Sequence, residues 1–526
     1  MKSNIFSLSL AVLASVTVLG TDIFAQTPPA GSPVARHGQL SVSGARLVNK
    51  DGVPVQLRGM SFYWSNSRSA RNFYNAGAVK WLADDWKVSV VRAAMSVEED
   101  FWTDELGYIS DPNGNRQRVA AVVDGAIANG VYVIIDWHSH AAERYQSQAV
   151  SFFEDMARTY GNRPNVIYEI YNEPLGISNP DSTWKAIKPY QQAVVNAIRA
   201  IDGKNPIIIG TPGWCQRPDV AAADPLSGDN LLYSLHFYAG ENSHRASLRN
   251  NAYAAMRRGQ AVFVSEFGPT GASGSGNYNE AETNTWFRFL EQFKISWASW
   301  AIHTTNETNT SYVLKSGASA NGNWQESQLH PYGVFIRNKL RAADASEPAG
   351  TPEFFEVTIN VAGSGVVTRS RTPVPEYLFL QRGTEVTLSS QPDTGWTLQA
   401  WSGDFTGTGT SASFTVNSDM VITATFVPQG TPVLPGTAGA GMDARWTVRK
   451  VDGGIAVGGP FMAGGADVII YNMLGKVVQK TAVSQRPNGQ AALINNIRAP
   501  AGNYFVSVRD RASGREVYRT RLLMAD

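Results

Sequence analysis

Cysteine is almost absent from this chain of 526 residues: the only one is Cys215, so no internal disulfide can form and the fold must rest on its cores. Cysteines and histidines at metal-ligand spacing are also missing, so neither a structural zinc nor any other metal or cofactor is expected. Net charge is nearly absent, with 45 Lys and Arg against 44 Asp and Glu leaving +1. Such a balance gives no general basis for holding a polyanion and argues against nucleic acid as a partner. The apolar run Ile5–Leu19 falls short of the roughly 20 residues that a membrane-spanning helix needs. With Lys2 before it and the small residue Ala25 after it, the run reads as a signal peptide over 1–25, and the product as secreted or held at the cell surface.

What is present is a chain too long for one core, with 43% hydrophobic residues, and two to four domains are expected. Aromatic residues make up 10%, including 14 tryptophans, several beside polar loop residues. Exposed indoles stack on sugar faces, which suits a carbohydrate ligand. Stretches rich in proline and small residues read as linkers over 344–353 and 429–442. They separate three territories, 33–343, 354–428 and 443–526.

In the first territory short β-rich runs alternate with helical patterns. The strands are expected at Val55–Met60, Val88–Arg92, Tyr132–Asp136, Val166–Ile170, Ile207–Gly210, Leu232–Leu235, Val262–Ser265 and Ile295–Ser299. Amphipathic helices are expected at Val119–Asn129, Gln148–Tyr160, Trp184–Ile201, Leu248–Arg258 and Glu280–Phe293. Eight such units predict an α/β fold, the (β/α)8 TIM barrel. The second territory alternates apolar and polar residues in VTINV, EVTLSS and MVITATF, which predicts a small all-β domain. The third carries strand patterns at Asp467–Tyr471 and Tyr504–Arg509 and is basic, with 12 Lys and Arg against 6 Asp and Glu from Asp443 onward. A second small all-β domain is expected there.

Residues at the C-terminal ends of barrel strands face the open mouth. Polar residues stand at nearly all of these ends: Arg92; Asp136, Trp137 and His138; Asn172 and Glu173; His236 and Tyr238; Glu266; and Trp300. Cleaving a glycosidic bond with retention needs two carboxyls about 5–5.5 Å apart, one protonated and one ionised. Glu173 and Glu266 follow the fourth and seventh strands, three places apart in a ring of eight, where their side chains can face each other across the barrel. Either glutamate alone reads equally well as a rim ion pair; it is the company of His and aromatic residues that favours catalysis. Arg92 can keep a carboxylate ionised, and Asn172 can bond a sugar hydroxyl. His236 and Tyr238 can orient the carboxyls, His138 and His140 can line the adjoining space, and Trp300 can form a floor under the sugar ring.

The runs LRGM (57–60), VVRAAM (90–95), IIDWHSH (134–140), YNEP (171–174), LHFYAG (235–240), SEFG (265–268) and SWASW (296–300) together resemble glycoside hydrolase family 5, and within it the bacterial endoglucanases. The resemblance spans Gly38 to Arg341. It implies a retaining hydrolase of internal β-1,4 bonds in cellulose or related glucans, with Glu173 as acid/base and Glu266 as nucleophile. It further implies active-site places for Arg92, His138, Asn172, His236 and Tyr238, and substrate contacts from Trp300, Trp64 and Glu307. Relatives often carry a lysine ahead of an Asn-Glu pair; this chain reads Thr304, Thr305, Asn306, Glu307, which puts that lysine's contacts in question. A β-1,4-mannanase or xyloglucanase would share the chemistry, and a non-catalytic glycan-binding protein would keep only the barrel.

The middle domain, with GWTLQAWSGD at 395–404, resembles a bacterial β-rich repeat found beside surface enzymes, and Trp396 and Trp401 are expected in its core. The C-terminal domain resembles the sorting domain of type IX secretion, which implies secretion machinery as a partner and passage across an outer membrane. The protein itself is expected to be a monomer.

Overall fold

The computed structural model describes residues 27–99, 105–342 and 352–429, and, between 447 and 524, chiefly the strands. The leader expected at 1–25 lies outside the described residues, as does most of the two expected linkers. The chain divides into two compact units, Met1–Glu353 and Phe354–Asp526.

In the first unit eight parallel strands close into a barrel: β1 (Arg58–Phe62), β2 (Val90–Ser96), β3 (Tyr132–His138), β4 (Val166–Glu169), β5 (Ile207–Ile209), β6 (Leu231–Tyr238), β7 (Ala261–Gly268) and β8 (Ser296–Ile302). Residues of β2 to β8 are buried throughout, which is why these strands read as apolar runs instead of alternating patterns. The barrel closes where Trp297, Ala298 and Ser299 pair with Arg58, Gly59 and Met60.

The first strand lies further along the chain than Val55–Met60. The backbone N–H of Val55 donates to Leu47 O at 2.9 Å, and that of Leu57 to Ser296 Oγ at 2.9 Å. These residues belong to the floor of the barrel, where Val34, Leu40, Leu47, Val55 and Leu57 pack beneath Val90, Tyr132, Ile134, Ile167, Ile208, Leu232 and Phe263. The mouth at the opposite end is left to polar residues.

The five expected helices are present as Pro112–Asn129, Gln146–Tyr160, Pro180–Arg199, Ala246–Arg257 and Glu280–Phe293. Asp111, Asn179 and Asn279 start three of them by accepting from backbone N–H groups of the first turn. Gly130, at φ 64°, ends the first in the left-handed conformation. Helices Ala76–Asp84 and Pro331–Ala342 were not expected; an internal glycine in each weakens its helical pattern.

In the second unit, residues 354–428 form two four-stranded sheets around a core that includes Val357, Leu388, Trp401, Ile422 and Phe426. Trp401 is buried with its indole N–H donating to Gly409 O at 2.8 Å, and Trp396 packs half-buried against the same core. Further on, a three-stranded and a four-stranded antiparallel sheet follow, and Ala466–Asn472 pairs with Gly502–Asp510 where strands were expected.

Gly59 shows how tightly β1 and β2 approach: a Cβ there would sit 1.7 Å from Val90 O and 2.9 Å from Val90 Cγ1. Gly59→Ala should therefore destabilise the barrel by about 1–3 kcal/mol. A denaturant titration would show this as a lower midpoint with unchanged slope; an unchanged midpoint would mean that β1 can move away from Val90.

Candidate active site

Arg92, on β2, is fully buried beneath the mouth of the barrel. Its Nε donates to Glu169 Oε2 at 2.7 Å, Nη1 to Glu266 Oε2 at 3.0 Å, and Nη2 to Asn172 Oδ1 at 2.6 Å. Nη2 also lies 2.9 Å from Asp136 Oδ2. Burial disfavours the cation, but Asp136, Glu169 and Glu266 hold its pKa well above the usual value. With three carboxyls on one guanidinium the group is over-supplied with negative charge. Burial pushes Asp136 well above the usual carboxylate range in spite of Arg92, with the charges of Glu169 and Glu266 adding to the effect. Glu169 is lowered, because Arg92 and His236 outweigh its burial. His138 Nδ1 lies 2.7 Å from Asp136 Oδ2, and burial together with Arg92 keeps this imidazole neutral.

Glu173 and Glu266 meet above this layer. One carboxylate oxygen of each and one ring nitrogen of His236 all lie within 4.8 Å of one another. Both oxygens of Glu266 have donors, Tyr238 Oη at 2.7 Å and Arg92 Nη1 at 3.0 Å. Burial and the charge of Glu173 still raise its pKa above the ordinary value. Glu173 is gripped by two imidazoles, His236 Nδ1 at 2.9 Å from Oε1 and His140 Nε2 at 3.1 Å from Oε2. Burial opposes its charge, but the two rings hold it below the usual range. The same pairing lifts His236, whose burial is outweighed by contacts toward Glu169 and Glu173, to a pKa of about 9.

Ser265 fixes which atoms of His236 carry protons. Its hydroxyl donates to Glu169 Oε1 at 2.5 Å, so His236 Nε2, 2.9 Å away, must be the donor to Ser265. The proton between His236 Nδ1 and Glu173 Oε1 is therefore shared by these two groups alone. The Glu173, His236 and Glu266 atoms could in principle face a divalent ion. Each already has a partner in the protein, which competes with such a ligand role.

Aromatic side chains form one wall of the mouth. Trp300 is stacked on His138 with ring centroids 5.5 Å apart and 6° between planes, and it lies 5.9 Å from the Arg92 guanidinium. Tyr63 touches Trp300 at 5.1 Å and stacks on Trp64 at 5.4 Å, so Trp64 joins the same cluster. Glu307 stands apart: it is exposed, accepts from Ser275 Oγ at 2.5 Å, and is bonded to Thr305 and not to the carboxyl layer. Its carboxylate bridges two loops and acts electrostatically on Tyr312, which packs against the Trp64–Trp300 cluster.

Three participants escaped the sequence reading. Glu169 could have been noticed as the one charge inside the apolar strand VIYEI, whereas Ser265 gave no signal beside Glu266. Trp214, 39% exposed at φ 56°, follows β5 in a turn whose backbone N–H donates to Pro174 O at 2.8 Å, next to Glu173. It lies on the β4–β5 flank, across the barrel from the Trp64–Trp300 wall, and no periodic pattern marks it.

Residues 48–306 match the family model for cellulase, glycosyl hydrolase family 5, and residues 355–430 match that of the divergent InlB B-repeat domain. Endoglucanase Z of Dickeya dadantii is 46% identical over 313 residues, covering 59% of this chain and 67% of its own. An endoglucanase of Clostridium saccharobutylicum is 40% identical over 362 residues, covering 67% of this chain and 77% of its own. Among solved structures, the catalytic domain of a Thermobifida fusca endoglucanase superposes with a TM-score of 0.54 at 33% identity, covering 59% of this chain and all of that domain. A variant of that domain, similar at 32% identity, was solved with cellotetraose. Relatives this similar over most of their own length, matched in the region that carries the carboxyl cluster, show that the chain belongs to glycosyl hydrolase family 5, the cellulase family.

Proposed function

We propose that the protein is an endo-β-1,4-glucanase that cuts internal bonds of cellulose or related glucans with retention, Glu266 acting as nucleophile and Glu173 as acid/base. The observation that carries this reading is the approach of the two carboxyls to within 4.8 Å, near the separation of about 5–5.5 Å that a double displacement needs. Glu266, held by Tyr238 and Arg92, attacks the anomeric carbon. The bond to the leaving oxygen breaks, its electron pair goes to that oxygen, and Glu173 supplies the proton. In the resting site that proton lies on His236, and Glu173 recovers it across one 2.9 Å hydrogen bond. Water then attacks the glycosyl-enzyme, Glu173 takes a proton from it, and Glu266 leaves as a carboxylate. The endoglucanase names of the relatives support the glucan over a mannan or xyloglucan.

Glu266→Gln should lower hydrolysis of carboxymethyl cellulose by more than about a thousandfold while leaving cello-oligosaccharide binding, since it removes the nucleophile and little volume. Viscosity and reducing ends measured on carboxymethyl cellulose, lichenan, xyloglucan and glucomannan would test the substrate as well. Near-normal turnover by the variant would overturn the assignment, and preference for glucomannan or xyloglucan would overturn the substrate.

Because Glu266 must be ionised, activity should fail on the acid side as it takes up a proton. Tyr238→Phe removes a hydrogen bond that favours the ionised form, so the acid limb of kcat/KM should move to higher pH, by about one to two units for a bond to a charged group. A limb that stays put or moves down would contradict this role for Tyr238.

Export belongs to the same reading. It rests on the Lys2, Ile5–Leu19 and Ala25 pattern and on the basic tail from Asp443, read as a signal peptide and a type IX sorting domain. In a Gram-negative host with that machinery, deletion of 443–526 should trap active enzyme in the periplasm, and deletion of 2–25 should trap it in the cytoplasm. Full activity in the medium after either deletion would refute the corresponding address.

A further inference from the structure

Glu173 does not stand on a strand. β4 ends at Glu169, and residues 170–175 run on without regular structure. A side chain on such backbone keeps its aim only if the peptide groups around it are fixed. On the β3 side, the N–H of Asn172 donates to Trp137 O at 3.3 Å and that of Glu173 to Ser139 O at 3.2 Å.

The other side is met by the turn after β5. Gly213 N–H donates to Leu175 O at 3.1 Å, Trp214 N–H to Pro174 O at 2.8 Å, and the Cys215 thiol to Asn172 O at 2.9 Å. Three consecutive residues thus reach three of the four carbonyls from Asn172 to Leu175, leaving out only that of Glu173. Their φ angles are 66°, 56° and 56°, a left-handed run that residues other than glycine rarely adopt. At Gly213 a Cβ would meet Ile177 Cδ1 at 2.4 Å.

The turn is anchored in its own right. Thr211 Oγ1 donates to Ser234 O at 3.0 Å, on the strand that carries His236, and Thr211 N–H donates to Cys215 Sγ at 3.4 Å. The thiol is thus an acceptor toward Thr211 and a donor toward Asn172, and its burial keeps it protonated for that second task. Asn172 is thus held at both ends, its backbone carbonyl by the turn and its side-chain Oδ1 by the Arg92 guanidinium.

We propose that the left-handed turn Gly213–Cys215 is the positioning element for Glu173, with the Cys215 thiol as its tie to Asn172. Cys215 acts through Asn172 and touches no substrate. The inference rests on the reading of Glu173 as acid/base, and its test separates the two. With the full chain, kcat/KM would be compared for phenyl cellobioside, whose leaving group needs a proton, and dinitrophenyl cellobioside, whose leaving group does not. Cys215→Ala should lower the phenyl value by about 10–100-fold, the scale of a misplaced catalytic group, and the dinitrophenyl value by less than about twofold. Cys215→Ser keeps a donor and should restore most of the loss. Equal losses on both substrates, or none on either, would overturn the proposal. Glu173→Ala, run alongside, should show the same selectivity more strongly; if it shows none, the acid/base reading itself fails. Should the Cys215→Ala protein not fold, Gly213→Ala carries the same comparison.

Discussion

A single guanidinium with no access to water sets the terms for the mouth of this barrel. Burying an unpaired cation costs several kcal/mol, and Arg92 is tolerable only because Asp136, Glu169 and Glu266 surround it. The carboxyls depend on it in turn. Asp136 and Glu169 are direct partners in the β3–β4 register, two carboxyls that reach the same guanidinium. Glu266 has Arg92 on one oxygen, and Asn172 is held by the same group that holds Glu266. Removing the cation would leave the site with charges that its strands could not keep together.

The negative excess left after Arg92 is answered by protons. Asp136 is raised by burial, and His236 carries charge toward Glu173 and Glu169. His236 and Glu173 face each other across one hydrogen bond, while Glu266 is held from both sides by Arg92 and Tyr238. Ser265 separates the two regimes, since its hydroxyl commits one face of His236 to Glu169 and leaves the other to Glu173.

Much of this was legible in the chain because strands buried on both faces read as plain apolar runs, and a polar residue closing such a run has few places to point except the mouth. Arg92, His138, Asn172, Glu173, His236, Tyr238 and Glu266 were found on that ground, and the structure brings them together. What stayed hidden depended on contacts between distant segments. Glu169 looks like a strand residue until Arg92 is seen across from it, and Trp214 owes its place to a turn whose conformation its sequence does not announce. The contact of Glu307 with Ser275, from another loop, likewise could not be read from either segment alone. Val55–Leu57 looked like strand because a floor segment and a strand are equally apolar.

That floor ties chain ends of the barrel that are far apart in sequence. Gln39 Nε2 reaches Asn205 Oδ1 at 2.9 Å, Val42 N–H reaches Asn230 Oδ1 at 2.8 Å, and Gln56 Nε2 reaches Ile295 O at 2.9 Å. Each bond closes a loop well over a hundred residues long, the kind of contact that comes late and slows folding. During synthesis the plug segment around Val34–Leu57 therefore waits without its full set of partners until the last barrel strand has left the ribosome. A nascent chain interrupted before Ser296 would carry the whole carboxyl cluster around Arg92 on a cylinder whose base is still open.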